Sequence, residues 1–396
     1  MNTINRPFGL AEDPHHDFMV RVRRELHQRP ELAFKEVETA QIIMRELNSL
    51  NIPYQYKGLG HGVIGFLNYN EHAPRIALRA ELDGLPGDEN TGLEFSSLHL
   101  GKMHACGHDA HMAIVLGAAA KLQSAPANIN VNLIFQPAEE SGGGSKTMIA
   151  DGALNGVSAI FGGHVTHHYD VGEIMVKAGI VTAQSDRFKI HIKGKGGHGA
   201  RPHEAIDAIV IASALINNLQ TIVSREIDPL HPSVVTVGTL RAGSAANVIA
   251  EEAIMEGSIR STLFESRNKI MTALKRIVEA YEGVYDASIS LHIEDGYPPV
   301  VNTDVETELA RQTVCQLSDG KGLRVAEYPS MGSEDFSFYL QEVHGCFVRF
   351  GARPARQEYL PLHSSQFDID ENVLEVGARY FDQLVRNAAD HYMKPE

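Results

Sequence analysis

"HMAIVLGAAAKLQ", His111–Gln123, is the stretch that decides the fold. It reads as a buried helix, because apolar and small residues fill nearly every position. It lies between "RIALRAEL" (75–82) and "INVNLIFQ" (129–136), two short apolar runs bounded by turn residues, which read as strands. A strand, a covering helix and a second strand argue for a sheet with parallel strands covered by helices. Upstream, "GVIGFLN" (62–68) is a further strand, and "FMVRVRRELHQ" (18–28) and "EVETAQIIMRELNSL" (36–50) have helical periodicity.

From about residue 184 the pattern changes. In "DRFKIHIKG" (186–194), Phe188, Ile190 and Ile192 alternate with Lys189, His191 and Lys193, which marks a half-exposed strand. A helix is expected over roughly 204–224, then strands at "SVVTVGTL" (233–240) and "AIMEGSIRS" (253–261). A second helix through "SRNKIMTALKRIVEAYE" (266–282) and a strand at "ASISLHIE" (287–294) complete a β-α-β-β-α-β order, the ferredoxin-like split. Residues 184–294 therefore read as a small α+β domain inserted into a larger α/β domain of residues 1–183 and 295–396. The larger domain ends in a helix over about 371–391.

The composition excludes several classes. With 396 residues, 43% hydrophobic and 21% charged, the chain can build a sizeable core. A net charge of −15, with no basic run, argues against a nucleic-acid partner. No apolar run is expected to reach the roughly 18 residues of a membrane helix. Residues 1–18 lack the charged-then-apolar signal pattern, and three cysteines make a disulfide framework improbable, so a cytoplasmic location is expected.

Chemistry concentrates in a few segments. "MHACGHDAHMA" (103–113) places Cys106 and His108 one residue apart, a soft thiolate and an imidazole that both suit zinc-like ions. "FQPAEES" (135–141) puts Glu139 and Glu140 just past a strand's C-terminal end, where open α/β sheets place their ligands. His164 follows the strand "VSAIFG" (157–162), and His363 in "LPLHSSQFDIDE" (360–371) precedes the final helix. Taken singly, a lone histidine is more often a surface or core residue, and an adjacent Glu pair a solvated face. Spacing alone does not say which glutamate would bind metal.

The sequence resembles the metal-dependent amidohydrolase family of hippurate hydrolase, N-acyl-amino-acid aminoacylases and plant indole-acetyl-amino-acid hydrolases. More distantly it resembles the carboxypeptidase-G and aminoacylase-1-like peptidases. "RAELDGLP", "MHACGHDAH", "FQPAEE", "GGHGARPHEAIDAI", "GSEDFSFY" and "LHSSQFDIDE" carry the resemblance, in the family's order. It implies a zinc-exopeptidase-like catalytic domain, with a central mixed sheet flanked by helices, and an inserted lid and dimerisation domain. It implies two divalent ions, zinc or manganese with cobalt as a further choice, on Cys106, His108, Glu140, His164 and His363. Glu139 becomes the general acid/base, and His198 in "GKGGHGARPH" polarises the scissile carbonyl. Asn247 in "AANVIA" and Arg260 in "GSIRS" become substrate binders.

The implied reaction is hydrolysis of an N-acyl-amino acid, N-acetyl or N-benzoyl, by a homodimer. A deacetylase for an N-acetyl-diaminopimelate-type substrate, a narrow dipeptidase and a catalytically silent protein of the same fold are the alternatives. Three departures stand out. Glu81 occupies a position that is usually Asp in the family, "NVIA" replaces "NVIP", and His167–His168 replace an aromatic-Pro pair. Of that last pair, solvent exposure is expected. Asp83 is a candidate for orienting a ligand, and Cys315 and Cys346 are expected to be buried small hydrophobes.

Overall fold

The computed structural model describes residues 13–354 and 358–393. Residues 1–12, most of the segment read as lacking a secretion signal, lie outside the described residues. The chain divides into two compact units. One comprises residues up to Val181, Val301–Glu327 and Asp335 onward; the other comprises Thr182–Val300 and Tyr328–Glu334.

In the first unit, helices α1 (His16–His27) and α2 (Val37–Ser49) precede strands β1 (Tyr54–Tyr56), β2 (Val63–Leu67) and β3 (Arg75–Glu81). Then come α3 (His108–Ser124), β4 (Asn130–Gln136), α4 (Gly144–Ala150), β5 (Val157–Asp170) and β6 (Ile174–Met175). The second unit carries β7 (Gln184–Lys193), α5 (Ala208–Thr221), β8 (Ser233–Ala242), β9 (Glu252–Ser261), α6 (Phe264–Tyr285) and β10 (Ser288–Asp295). The chain returns to the first unit with α7 (Asp304–Ser318), β11 (Leu323–Arg324), β12 (His344–Arg353) and α8 (Asn372–Tyr392).

The first unit's eight-stranded sheet has the order β1-β2-β4-β3-β5-β12-β6-β11. Its centre is parallel, β4 with β3, β3 with β5 and β5 with β12, while β2 runs antiparallel to β4. The sheet is therefore mixed, with a parallel core. Helix α3 is buried along almost its whole length, as its composition requires. Beneath it lies the sheet, and α1 and α8 pack against it. At Gly117 the helices come so close that a Cβ would meet Met19 Sδ of α1 at 2.2 Å and Ala378 Cβ of α8 at 3.1 Å.

The second unit's sheet has the order β8-β9-β7-β10, antiparallel throughout, with α5 and α6 against it. Phe188, Ile190 and Ile192 of β7 join its core, as their alternation requires.

Several details depart from the sequence reading. Helix α5 starts at Ala208 rather than near residue 204, because the Asp207 carboxylate caps it by accepting from Ile209 N–H (2.9 Å) and Val210 N–H (3.4 Å). Residues 202–204 form a separate 3-10 turn. The segment Ala208–Glu226, 19 residues, is long and apolar enough to cross a membrane by length and composition only, although Asn217, Asn218 and Gln220 interrupt its apolar run. One face of it, Ala208, Ile211, Ala212, Leu215 and Leu219, lies in the second unit's own core. Cys346 is buried, but Cys315 is exposed, because the buried stripe of α7 runs through Leu309, Ala310, Thr313 and Val314 and leaves residue 315 off it.

Candidate metal centre

The parallel core of the sheet sets the site. Glu81 ends β3, and Gln136 ends β4 directly opposite it. The pairing of Arg79 with Gly162 in β5 brings residue 164 level with residue 81. Glu139 and Glu140 leave β4 through a tight loop, in which Ala138 has φ +54°. That left-handed geometry costs a residue with a Cβ about 1–2 kcal/mol. Cys106 and His108 flank Gly107, where φ is +85° and a Cβ would lie 2.4 Å from Val165 Cγ2. Glycine is thus required between the two side chains. His363 arrives from the loop before α8, also left-handed at φ +67°, with its N–H donating to Ala105 C=O at 2.8 Å.

These segments bring the five expected ligands and Glu139 together. Cys106, His108 and His164 present Sγ or ring nitrogens within 4.8 Å of one another, and so do Cys106, Glu140 and His363. His108, Glu139 and Glu140 form a third such group. The Cys106 Sγ to His164 Nε2 distance is 3.3 Å, and His363 Nε2 lies 3.3 Å from Glu140 Oε1. Cys106, His108 and His164 are buried, while the His363 side chain is 54% exposed and marks the open side.

The partners of each imidazole fix which nitrogen it offers. His108 Nδ1 sits 2.8 Å from the Asp83 carbonyl and 3.3 Å from Asp83 Oδ1. Asp83 Oδ2 in turn accepts from Glu140 N–H at 3.0 Å. His108 Nε2 faces the cluster, buried and with no hydrogen-bond partner, and so does Glu140 Oε1. His164 Nδ1 donates to the Val165 carbonyl at 2.7 Å, leaving Nε2 for the thiol. A carbonyl or carboxylate on the far ring nitrogen is the arrangement that orients histidine towards a metal.

The charges point the same way. Burial, with Glu140 and Glu139 beside it, drives the Cys106 thiol well above its ordinary range. Burial disfavours charge on His108, yet Asp83, Glu81 and Glu140 lift it to about 10. Burial and the neighbouring His111 hold His164 well below its usual value, as a neutral ring. This is a crowd of acidic oxygens and a thiol with too little positive charge. Divalent cations fit these residues: they would satisfy the orphaned His108 Nε2 and Glu140 Oε1, and would ionise the thiol.

Behind the cluster runs a charged chain that sequence reasoning missed. Buried Arg79 donates from Nε to Gln136 Oε1 at 2.9 Å and from Nη2 to Asp335 Oδ1 at 2.7 Å, and it pairs with Glu81 through Nη1. Glu81 Oε2 receives His111 Nδ1 at 2.7 Å, and His111 Nε2 accepts the Val165 N–H at 2.9 Å. Glu81 therefore reaches the β5 backbone through His111. The signal in the sequence was an arginine at the centre of an apolar strand, which demands a buried partner. A second buried group joins Asp109 to Arg23 Nε (3.1 Å) and to His27 Nδ1 (2.9 Å).

His167 is buried rather than exposed. Its Nε2 donates to the Asp368 carbonyl at 2.7 Å and its Nδ1 accepts from Leu360 N–H at 3.2 Å. His168 is exposed and stacks on Tyr359, 4.9 Å between ring centroids.

In the second unit, His198 pairs across a two-residue ladder with Val248, next to Asn247. The His198 Nδ1 accepts from Ala200 N–H at 3.0 Å, so its proton lies on Nε2, and the ring is exposed. Arg260 sits on β9, half-buried, with Nη1 donating to Ser333 Oγ at 2.6 Å. Among the described residues no ion pair holds it.

A family model described as Peptidase family M20/M25/M40 matches residues 77–387, and that span contains all five candidate ligands and Glu139. The chain belongs to this family. Its activity class is metal-dependent amide hydrolysis. Among relatives, Thermostable carboxypeptidase 1 of Saccharolobus solfataricus is 39% identical over 369 residues, covering 91% of this chain and 93% of that one. The N-acetyl-L-cysteine deacetylase of Bacillus subtilis is 38% identical over 366 residues, covering 92% and 86%. A Bacillus subtilis structure described as a dinuclear metal binding peptidase of the M20 family superposes with a TM-score of 0.81 at 36% identity, covering 95% of this chain and 98% of that one.

Proposed function

We propose that the protein hydrolyses the amide of an N-acyl-L-amino acid, releasing a carboxylic acid and a free amino acid. The observation that carries this reading is the grouping of His108, Glu139 and Glu140: a second carboxylate stands beside a ligating one. In the proposed assignment Cys106, His108, Glu140, His164 and His363 hold two divalent ions, with zinc, manganese or cobalt as candidates. When bound, such ions supply Lewis acidity and lower the pKa of water towards about 7.

Glu139 then takes a proton from the attacking water as its oxygen bonds to the carbonyl carbon. The same carboxylic acid returns the proton to nitrogen as the C–N bond breaks, so the amine leaves neutral. His198, whose proton lies on Nε2, donates to the developing oxyanion. Arg260, unpaired with any carboxylate among the described residues, receives the substrate's carboxylate as a planar fork, and Asn247 adds a neutral hydrogen bond. We assign residues 184–294 as a lid and dimerisation domain. Leu240 of β8 and Ile209 and Val210 of α5 are exposed apolar residues, which supports the homodimer reading. A cytoplasmic location accords with the cysteine usage.

The carboxypeptidase relative favours a second substrate class, since a peptide's last residue is itself an N-acylated amino acid. One panel tests both. Apoprotein restored with each metal in turn is offered acetyl-, benzoyl- and aminoacyl-amino acids, each as free acid. Turnover of acetyl and benzoyl substrates above peptides supports the proposal. Turnover of peptides alone moves the assignment to a carboxypeptidase.

A further inference from the structure

The loop that carries Glu139 and Glu140 is held from a distant part of the chain. Glu36 is the N-cap residue of α2, a position where a short polar side chain such as Asp or Ser ordinarily caps its own helix. Here it makes no such bond. Its buried carboxylate instead accepts the Ala138 N–H at 2.8 Å, 102 residues along the chain. Ala138 is the left-handed residue immediately before the two glutamates, and its carbonyl accepts from Gly144 N–H at 3.1 Å. A second contact joins the same two segments. Phe34, itself left-handed at φ +62°, lays its ring against Gly142, where a Cβ would come within 2.4 Å of Phe34 Cε2.

Ala138 has a Cβ, so its positive φ persists only if the surroundings over-determine it. A change of φ there would swing the next two side chains together, because both follow it on the same short loop. We infer that Glu36 is a positioning residue for the paired carboxylates: by accepting the Ala138 amide it locks the turn that aims Glu139 and Glu140. The inference rests on the roles proposed above for those two residues. Burial, with the Asp83 carboxylate nearby, lifts Glu36 to about 7, so a neutral amide is a fair substitute for it.

The test compares Glu36→Leu, Glu36→Gln, Ala138→Gly and the Glu36→Leu/Ala138→Gly double variant in the full chain. Three quantities are read: hydrogen exchange of the Ala138 amide, metal retained after desalting, and kcat and KM on an N-acyl-amino acid. Leu removes the acceptor and leaves a buried amide unpaired, so exchange at Ala138 should rise about tenfold or more. Metal retention should fall in parallel, and kcat should drop about tenfold with KM nearly unchanged. Gln keeps an acceptor oxygen and should restore most of all three, which keeps the test open if the Leu variant does not fold. Glycine at 138 reaches positive φ without strain, so in the double variant kcat should recover part of the Leu loss.

The proposal is overturned if kcat falls while the Ala138 amide stays protected, or if protection is lost with kcat and metal retention intact. The exchange result is independent of the catalytic assignment. If Glu139→Gln left kcat unchanged, the base would be wrong, while the Glu36 lock would still stand or fall on Ala138.

Discussion

Replacing Arg79 by Met should destabilise the protein more than any exposed change. The guanidinium is fully buried, with hydrogen bonds to Gln136 and Asp335 and an ion pair with Glu81. Met keeps much of the volume but leaves the Glu81 and Asp335 carboxylates buried without their cation. Removing one partner of a buried pair costs about 3–5 kcal/mol. For a unit of this size that corresponds to a fall in Tm of about 6–20 °C.

The pH dependence carries the sign. Burial pushes Glu81 up, but Arg79 and then His111 pull it well below the ordinary carboxylate range. A depressed carboxylate contributes stability that is present above its unfolded pKa and fades as pH falls through the folded one. The gap between wild type and variant should therefore be full at pH 7 and narrow below about pH 4. Thermal melts of the apoprotein across pH 3–8 measure it, with metal left out so that ligand binding does not contribute. A variant within about 1 kcal/mol of wild type at pH 7, or a gap that widens on acidification, would refute the reasoning.

Glu139→Gln should lower kcat by at least about 100-fold with metal content preserved, whereas Glu140→Gln should lose metal on desalting; the reverse pattern would exchange their roles. Arg260→Ala should lower kcat/KM for free-acid substrates by roughly 10- to 150-fold and do far less to amidated ones, so an equal penalty on both removes it as the carboxylate receptor. Gly107→Ala adds a Cβ at positive φ against Val165, and should cost about 2–4 kcal/mol and weaken metal retention, read by melts and elemental analysis.

The larger features were legible because periodicity reports burial directly. The apolar composition of His111–Gln123 gave a helix buried nearly throughout, and the alternation at 186–194 gave a strand with one wet face. The segments of the first unit that carry Glu139, Glu140 and His164 meet beside Cys106 and His108, since residues just past parallel strand ends converge on one edge of a sheet. What stayed hidden depends on contacts between residues far apart in the chain. Nothing local to Arg79 names Asp335 as its partner, and nothing local to Glu36 names the Ala138 amide. His167 looked like a solvent residue by its polarity alone, yet a backbone carbonyl and a backbone N–H, at Asp368 and Leu360, satisfy both ring nitrogens. Cys315 failed for the opposite reason: its chemistry suggested the interior, and the helical phase of α7 turned it out.

The gathered side chains come from both ends of the sequence, with His108 and His363 roughly 250 residues apart. Synthesis runs from the N-terminus, so Cys106, His108, Glu139, Glu140 and His164 all leave the ribosome long before His363. A polypeptide that stops short of that histidine also lacks α8, which packs on α3, the helix that opens with His108. Incomplete products therefore lack both a candidate ligand and its scaffold, and the gathered cluster is complete only with the last tenth of the molecule.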